Sequence, residues 1–242
     1  MFLEEGCGTD IPPKKFTPVV DYKKLRLHNL ESNAYRHLLL LIFWPVFGIL
    51  FAYVEKHYPV EYYTPMPSVL DDFIPFFEWF VIPYLFWFIY LAGMVLYTLL
   101  YDISAYKKMM LFIIITYTLT IVIYLIWPTC QELRPSAFER DNLFTRIRSD
   151  YYAYDTNTNV CPSLHVIGAV AVQFTFLQLK GKKHIGWHIT FYITTILICV
   201  STVFLKQHSI IDIFAALPVC LLGYFLSFPC YKKKATEKAD QY

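Results

Sequence analysis

A histidine and an aspartate, His208 and Asp212, lie four positions apart at the start of an apolar run. If this segment is helical, the two side chains share one face, so the carboxylate can hold one imidazole nitrogen and leave the other free. Such a pair produces a nucleophilic or basic histidine. Ionisable residues at membrane depth are costly and usually functional. The pair, together with neighbouring Lys206, is therefore a candidate site.

A second polar group stands at the start of another apolar run, which opens with Pro162 and Ser163 and reaches His165. Proline followed by serine is typical of a helix start, where free backbone N–H groups and the helix dipole favour an anion. Ser163 adds a hydroxyl donor. A third group, around Arg134, supplies a guanidinium that can bind two phosphate oxygens at once.

Together these side chains suit phosphoryl transfer without a metal. One histidine attacks phosphorus, the other protonates the leaving alkoxide, and the cations stabilise charge on the phosphate oxygens. Each residue also has a simpler interpretation. Either histidine alone can be satisfied by backbone or water, Arg134 can pair with Glu132 or Asp141, and Lys206 can extend to the membrane surface.

The composition indicates a membrane protein. The 242 residues are 57% hydrophobic and 19% aromatic, with a mean hydropathy of +0.42, which is too apolar for an ordinary soluble domain. The net charge is only +2 and the basic residues are scattered, so we expect no nucleic-acid partner.

The six cysteines have no zinc-type spacing, so we expect neither a metal nor a cofactor. Cys130 and Cys161 bracket a polar loop and can form a disulfide if that loop is extracytoplasmic.

Six apolar runs predict an all-α fold, a bundle of six transmembrane helices that forms one catalytic membrane domain over residues 37–230. The predicted spans are approximately 37–54, 79–100, 109–127, 163–179, 187–205 and 209–228. The polar segments 1–36 and 231–242 are predicted to be cytoplasmic tails.

Short basic links predict the orientation, because lysine and arginine concentrate on the cytoplasmic side of a membrane. The basic residues of these links are Lys107, Lys108, Lys180, Lys182, Lys183 and Lys232 to Lys234. With six spans, all of them and both termini face the cytoplasm. Arg134, His165 and His208 then share the outer face, and we expect the membrane to be the plasma membrane.

The three motifs resemble those of the type 2 phosphatidic acid phosphatase superfamily. The family pattern has a lysine seven residues before Arg-Pro, then Pro-Ser-Gly-His, then Ser-Arg followed by a histidine and an aspartate. Here Arg134 and Pro135 are preceded by Trp127 at the lysine position, Leu164 replaces the glycine, and Thr202 replaces the arginine. The Ser-Leu-His form is similar to the branch that contains sphingomyelin synthases and inositol phosphorylceramide synthases.

The resemblance covers roughly residues 80–228 and implies an integral membrane lipid phosphate phosphatase. In that family, the residue matched by His208 is the nucleophile that forms a phosphohistidine, Asp212 orients it, and His165 exchanges protons with the leaving group and the acceptor. The residues that would hold the phosphate are Arg134, Ser163 and Lys206. The expected partner is a membrane lipid substrate. Two alternatives stay open: a phosphotransferase that moves a phospho-headgroup onto a lipid alcohol, and a non-catalytic transporter or scaffold.

Overall fold

The computed structural model describes residues 18–138, 140–179 and 184–228. Within those ranges the chain is mostly helical, as predicted, with only two strands of two residues each. The predicted C-terminal tail and residues 1–17 of the predicted N-terminal tail lie outside the described residues. The same holds for Lys180, Lys182, Lys183 and Lys232 to Lys234.

Seven α-helices form the described fold. They are α1 Phe43–Lys56, α2 Val81–Tyr101, α3 Ile103–Ile126, α4 Leu143–Tyr154, α5 Leu164–Gln178, α6 Ile185–Phe204 and α7 Ile210–Ser227. Two 3₁₀ segments, Arg36–Ile42 and Glu78–Phe80, lead directly into α1 and α2. The strands β1 Thr64–Pro65 and β2 Thr129–Cys130 pair in parallel.

Five of the described helical segments are long and apolar enough to cross a membrane, which indicates an integral membrane protein. They are Arg36–Lys56, Glu78–Tyr101, Ile103–Ile126, Ile185–Phe204 and Ile210–Ser227. Helix α5 is apolar but has only 15 residues. That length gives about 22 Å of helix against a hydrocarbon core of about 30 Å. The predicted count of six spans is therefore not confirmed.

Helix α3 begins earlier than the sequence pattern predicts. It starts at Ile103, six residues before the predicted start of the span. Asp102 caps the helix, because its Oδ1 accepts a hydrogen bond of 3.0 Å from the Ala105 amide. Lys107 and Lys108, predicted to lie in a link, are consequently in the first turns of α3.

The polar segment 128–162, predicted as a loop, contains helix α4. Asn142 begins this helix, because its Oδ1 accepts hydrogen bonds from the amides of Phe144 and Thr145, at 2.9 and 3.1 Å. Most residues of α4 are polar or aromatic. Its sequence therefore lacks the long apolar run from which the other helices were predicted.

Helix α5 lies at the centre of the bundle and packs against α2, α3, α6 and α7. Gly168 allows this close packing. A Cβ at that position would lie 2.7 Å from Nε1 of Trp87 and 2.7 Å from the hydroxyl oxygen of Tyr117. The missing side chain lets α5 sit against both rings, which places its first turn, with His165, beside α2.

The loops at one end of the bundle are joined by backbone hydrogen bonds. The Thr64 amide donates to the Pro128 carbonyl oxygen at 2.9 Å, and the Asn159 amide donates to the Thr129 carbonyl oxygen at 2.6 Å. Three loops that are distant in sequence are thus held together. They meet at the end of the bundle where α5 and α7 begin.

The disulfide between Cys130 and Cys161 considered from the sequence is not formed, and both thiols are free. The side chains turn to different neighbours. Sγ of Cys130 lies 3.9 Å from the Tyr63 carbonyl oxygen. Cys161 is buried near Asp212, and burial together with this carboxylate raises the pKa of the Cys161 thiol to about 12.

Candidate active site

The turn between α6 and α7 carries His208. Its Nδ1 lies 3.0 Å from Oδ2 of Asp212, the contact expected from their one-turn spacing. The same carboxylate oxygen accepts a hydrogen bond of 3.0 Å from the Ser209 amide and so also caps α7. The His208 amide donates to the Thr202 carbonyl oxygen at 3.1 Å, which anchors the turn to α6. The carboxylate favours a proton on Nδ1 and leaves Nε2 with its lone pair for chemistry.

His165 lies in the first turn of α5, with its ring centre 6.2 Å from that of His208. The ring stacks on Tyr84 at 4.3 Å and lies against Trp87 at 4.4 Å. Aromatic packing therefore fixes the plane of the imidazole. The two histidines approach each other from the adjoining ends of α5 and α7.

The N-terminus of α5 carries polar atoms without a protein partner. Ser163 is fully buried, and its amide donates to the Asp212 carbonyl oxygen at 3.2 Å. Its hydroxyl oxygen and Nε2 of His165 have no hydrogen-bond partner in the described part of the chain. Buried polar atoms left unpaired are costly. Two such atoms beside the positive end of a helix dipole suit a bound anion.

A cavity of about 680 Å³ ends at the two histidines. Its polar end is formed by His165 and His208 together with Gln207, Asp155 and Glu55. Most of the remaining lining is apolar and comes from α1, α2 and α3. This division suits an amphipathic ligand whose polar group lies at the histidines.

Gln207, directly before His208, connects two arginines. Its Oε1 accepts hydrogen bonds from Nη2 of Arg134 at 2.9 Å and from Nη2 of Arg148 at 2.5 Å. Its Nε2 donates to Oδ2 of Asp155 at 2.6 Å. Nothing in the spacing of this glutamine distinguished it in the sequence, so its role was missed.

Arg134 comes close to the histidine turn, but its guanidinium contacts the protein itself. Nη2 donates to the carbonyl oxygens of Asp155 and Thr156, at 2.8 and 2.6 Å. Burial lowers the pKa of Arg134, and the neighbouring Arg148 adds to this effect. The guanidinium is not part of the cavity lining. It lies behind Gln207.

Arg148 is a second guanidinium that the sequence did not reveal. It projects from α4, is fully buried, and lies over the rings of Tyr152 at 3.8 Å and Tyr84 at 5.3 Å. Its Nη2 also donates to the Leu205 carbonyl oxygen at 3.3 Å. Aromatic faces and carbonyl oxygens are favourable surroundings for a buried guanidinium. Arg148 thus brings a positive charge next to the histidine turn.

Two carboxylates also stand at the polar end of the cavity. Glu55, near the end of α1, accepts hydrogen bonds from the Thr156 hydroxyl and from Nδ2 of Asn159, the latter at 3.0 Å. Asp155 accepts a hydrogen bond of 3.3 Å from the Tyr84 hydroxyl. Burial raises the pKa of the Asp155 carboxyl, and the positive groups around it partly oppose this rise.

Lys206 points away from the cavity. Its ammonium donates to the Asp71 carbonyl oxygen at 2.8 Å. Burial lowers the pKa of Lys206, and the charges of Asp71 and Asp72 oppose this change.

Asp71 is itself buried, and its carboxylate accepts hydrogen bonds from the Ser209 hydroxyl at 2.5 Å and the Ile210 amide at 2.9 Å. It is an anion that holds the N-terminus of α7.

Four of the six residues predicted for the site meet where α5 and α7 begin: His208, Asp212, His165 and Ser163. Arg134 is linked to them through Gln207. Of the six, His165 and His208 line the cavity, whereas Ser163, Asp212, Arg134 and Lys206 do not. In the described ranges, no three histidine, cysteine, aspartate or glutamate side chains are grouped as a metal site requires.

Comparisons of the chain with protein-family models, curated proteins and solved structures find no match. The function must therefore be inferred from the residues of the chain and their arrangement.

Proposed function

We propose that the protein is an integral membrane lipid phosphate phosphatase that acts through a phosphohistidine at His208. The observation that carries this proposal is the 3.0 Å contact between Nδ1 of His208 and Asp212 at the polar end of an apolar cavity. His165, with its ring centre 6.2 Å away, supplies a second imidazole at the same place. The resemblance of the motifs to type 2 phosphatidic acid phosphatases adds support.

The first step transfers the phosphoryl group to the protein. Nε2 of His208 forms a bond to phosphorus while the bond from phosphorus to the lipid oxygen breaks. His165 gives a proton to that oxygen, so the lipid leaves as an alcohol. Asp212 stabilises the positive charge that develops on the His208 ring.

The second step frees the phosphate. His165, now neutral, takes a proton from a water molecule, and the water oxygen attacks phosphorus. The P–N bond breaks, which returns His208 to its starting form and releases inorganic phosphate. Both histidines end with the protons they had before the first step.

The non-bridging phosphate oxygens need donors and positive charge. We assign the donors to the Ser163 hydroxyl and the first-turn amides of α5. Arg134 supplies positive charge, together with Arg148. Lys206 is assigned instead to fixing the turn, because its ammonium donates to the Asp71 carbonyl oxygen.

We also propose that α5 is the sixth membrane-crossing helix of the catalytic domain. Its position at the centre of the bundle supports this, because a helix surrounded by other helices can begin below the membrane surface. With six spans both termini are cytoplasmic. The histidines then face the outer leaflet of the plasma membrane.

A second candidate function is transfer of a phospho-headgroup from one lipid to the alcohol of another. The carboxylates of Glu55 and Asp155 at the polar end of the cavity favour it. A headgroup that carries a cationic nitrogen beyond its phosphate would be attracted to them. In this reaction the second step uses a lipid alcohol in place of water.

The experiment that separates these functions uses purified protein in detergent. Phosphatidate and a zwitterionic phospholipid are supplied in turn, with and without a lipid alcohol. Release of inorganic phosphate from phosphatidate without added alcohol supports the phosphatase. A new phospholipid formed only with added alcohol supports the transferase.

The non-catalytic alternative is a transporter or a scaffold. It predicts that His208→Ala and His165→Ala change no lipid turnover. The exposed His57 at the end of α1 provides a matched control, His57→Ala. If both site variants lose activity and the control keeps it, the non-catalytic alternative is excluded.

A further inference from the structure

The apolar part of the cavity runs along two helices. On α2 the lining extends from Trp87 to Leu99, a rise of about 18 Å, which exceeds half of the roughly 30 Å hydrocarbon thickness. On α1 the lining residues Trp44, Gly48 and Phe51 follow one helical face. The histidines stand at one end of this space. A lipid tail attached to a phosphate at the histidines would therefore lie lengthwise between α1 and α2.

The cavity has room for a lipid tail. It measures about 680 Å³. A methylene group occupies about as much space as a water molecule, about 30 Å³, so a tail of about 16 carbons needs about 500 Å³.

We propose that the cavity holds an acyl chain of the substrate lipid and that Gly48 determines the chain length the site accepts. This inference rests on the proposed function, since the chain belongs to the lipid whose phosphate His208 attacks. Gly48 lies seven residues, or about 10 Å, along α1 from Glu55 at the polar end. A Cβ at Gly48 would meet no atom within 4 Å. A larger side chain there occupies the space of the tail and displaces no protein atom.

Gly48→Leu and Gly93→Leu form a matched pair of variants. Both glycines are exposed, and an added Cβ at Gly93 also meets no atom within 4 Å, but Gly93, on α2, does not line the cavity. Both variants replace a helical glycine by leucine, so their gain in helix propensity is the same. Any difference between them reports on the cavity.

The first readout is phosphate release from phosphatidates that carry hexanoyl or hexadecanoyl chains. We expect Gly48→Leu to lower kcat/KM for the long-chain substrate about tenfold relative to the short-chain one, the factor that two displaced methylenes account for. Gly93→Leu should keep the wild-type ratio. Equal ratios in the two variants would overturn the assignment of Gly48 while leaving the phosphatase proposal intact.

The second readout needs no turnover. A phosphatidate with a diazirine in the middle of one hexadecanoyl chain is photolysed with the full-length protein, and the crosslinked residues are mapped by mass spectrometry. Crosslinks to the cavity faces of α1 and α2 that disappear in Gly48→Leu and persist in Gly93→Leu support the site. These crosslinks support the site even if the protein releases no phosphate. Absence of phosphate release would reject only the proposed phosphatase activity. Crosslinks elsewhere, or crosslinks that Gly48→Leu does not change, would overturn the inference.

Discussion

Oε1 of Gln207 lies 2.5 Å from Nη2 of Arg148, a residue 59 positions earlier in the chain. The bond ties α4 to the residue directly before His208. Because the same oxygen also accepts a hydrogen bond from Arg134, one neutral side chain contacts both guanidinium groups, that of buried Arg148 and that of half-buried Arg134. The position of the histidine therefore depends on a glutamine that takes no part in the chemistry.

Replacing Gln207 by leucine should destabilise the protein and lower its catalytic rate. The variant removes the acceptor shared by the two arginines, and lost hydrogen bonds to charged groups cost about 2 to 3 kcal/mol. We expect a lower unfolding temperature in detergent and a kcat reduced about tenfold or more. Gln173→Leu is the control, because Gln173 is also buried but lies within α5. Equal effects of the two substitutions would contradict the connecting role of Gln207.

Asp71 should matter for stability although it lies far from the histidines in sequence. Asp71→Ala removes the carboxylate that accepts hydrogen bonds from the Ser209 hydroxyl and the Ile210 amide. We expect the free energy of unfolding to fall by about 2 kcal/mol and activity to fall with it, because the start of α7 loses its anion. Asp72→Ala, at the exposed neighbouring position, should have little effect on the unfolding temperature. If both variants unfold like the wild type, Asp71 does not hold α7.

The half-buried Asp155 predicts a pH dependence of stability. Its pKa is raised by burial from the ordinary 3.8, so the folded protein binds this proton more tightly than the unfolded chain does. The contribution of Asp155 to stability therefore declines as pH rises from the ordinary value through the raised one. Asp155→Asn keeps an oxygen acceptor and removes the ionisation. We expect the unfolding temperature of the variant, relative to that of the wild type, to increase as the pH rises from about 4 to about 7. A difference that stays constant over this range would show that burial does not perturb this carboxyl.

Asp212→Asn should abolish most activity without unfolding the protein. The amide can present its NH₂ group to Nδ1 of His208 and so favour the wrong tautomer, which leaves Nε2 protonated. We expect kcat to fall by at least about a hundredfold with KM little changed. Asp102→Asn is the control, because Asp102 caps α3 and asparagine caps helices equally well. A variant with full kcat would show that His208 needs no carboxylate.

The parts of the site that follow from spacing within one helix could be predicted from the sequence. His208 and Asp212 meet because residues four apart share a face in any helix. Ser163 was expected at the start of a helix because proline and serine favour that position, and α5 begins directly after it.

Contacts between distant segments could not be predicted in this way. Asp71 and Ser209 are 138 positions apart, and an aspartate in a loop has no periodic partner that would reveal the contact. Arg148 was missed together with α4, because a polar helix lacks the apolar run that identifies a span. Lys206 also contacts a distant segment, the Asp71 carbonyl oxygen, and its spacing in the sequence therefore does not reveal its direction.

A covalent phosphohistidine at His208 is the feature on which the proposed mechanism depends most directly. A lipid phosphate labelled with radioactive phosphorus is mixed with the purified protein, and the reaction is stopped in alkali, where a P–N bond survives. We predict label on the peptide that contains His208, stable in alkali and lost in acid, absent from His208→Ala and present in His57→Ala. Phosphate release by wild-type protein that never carries the label, or label on the His208→Ala protein, would contradict the mechanism.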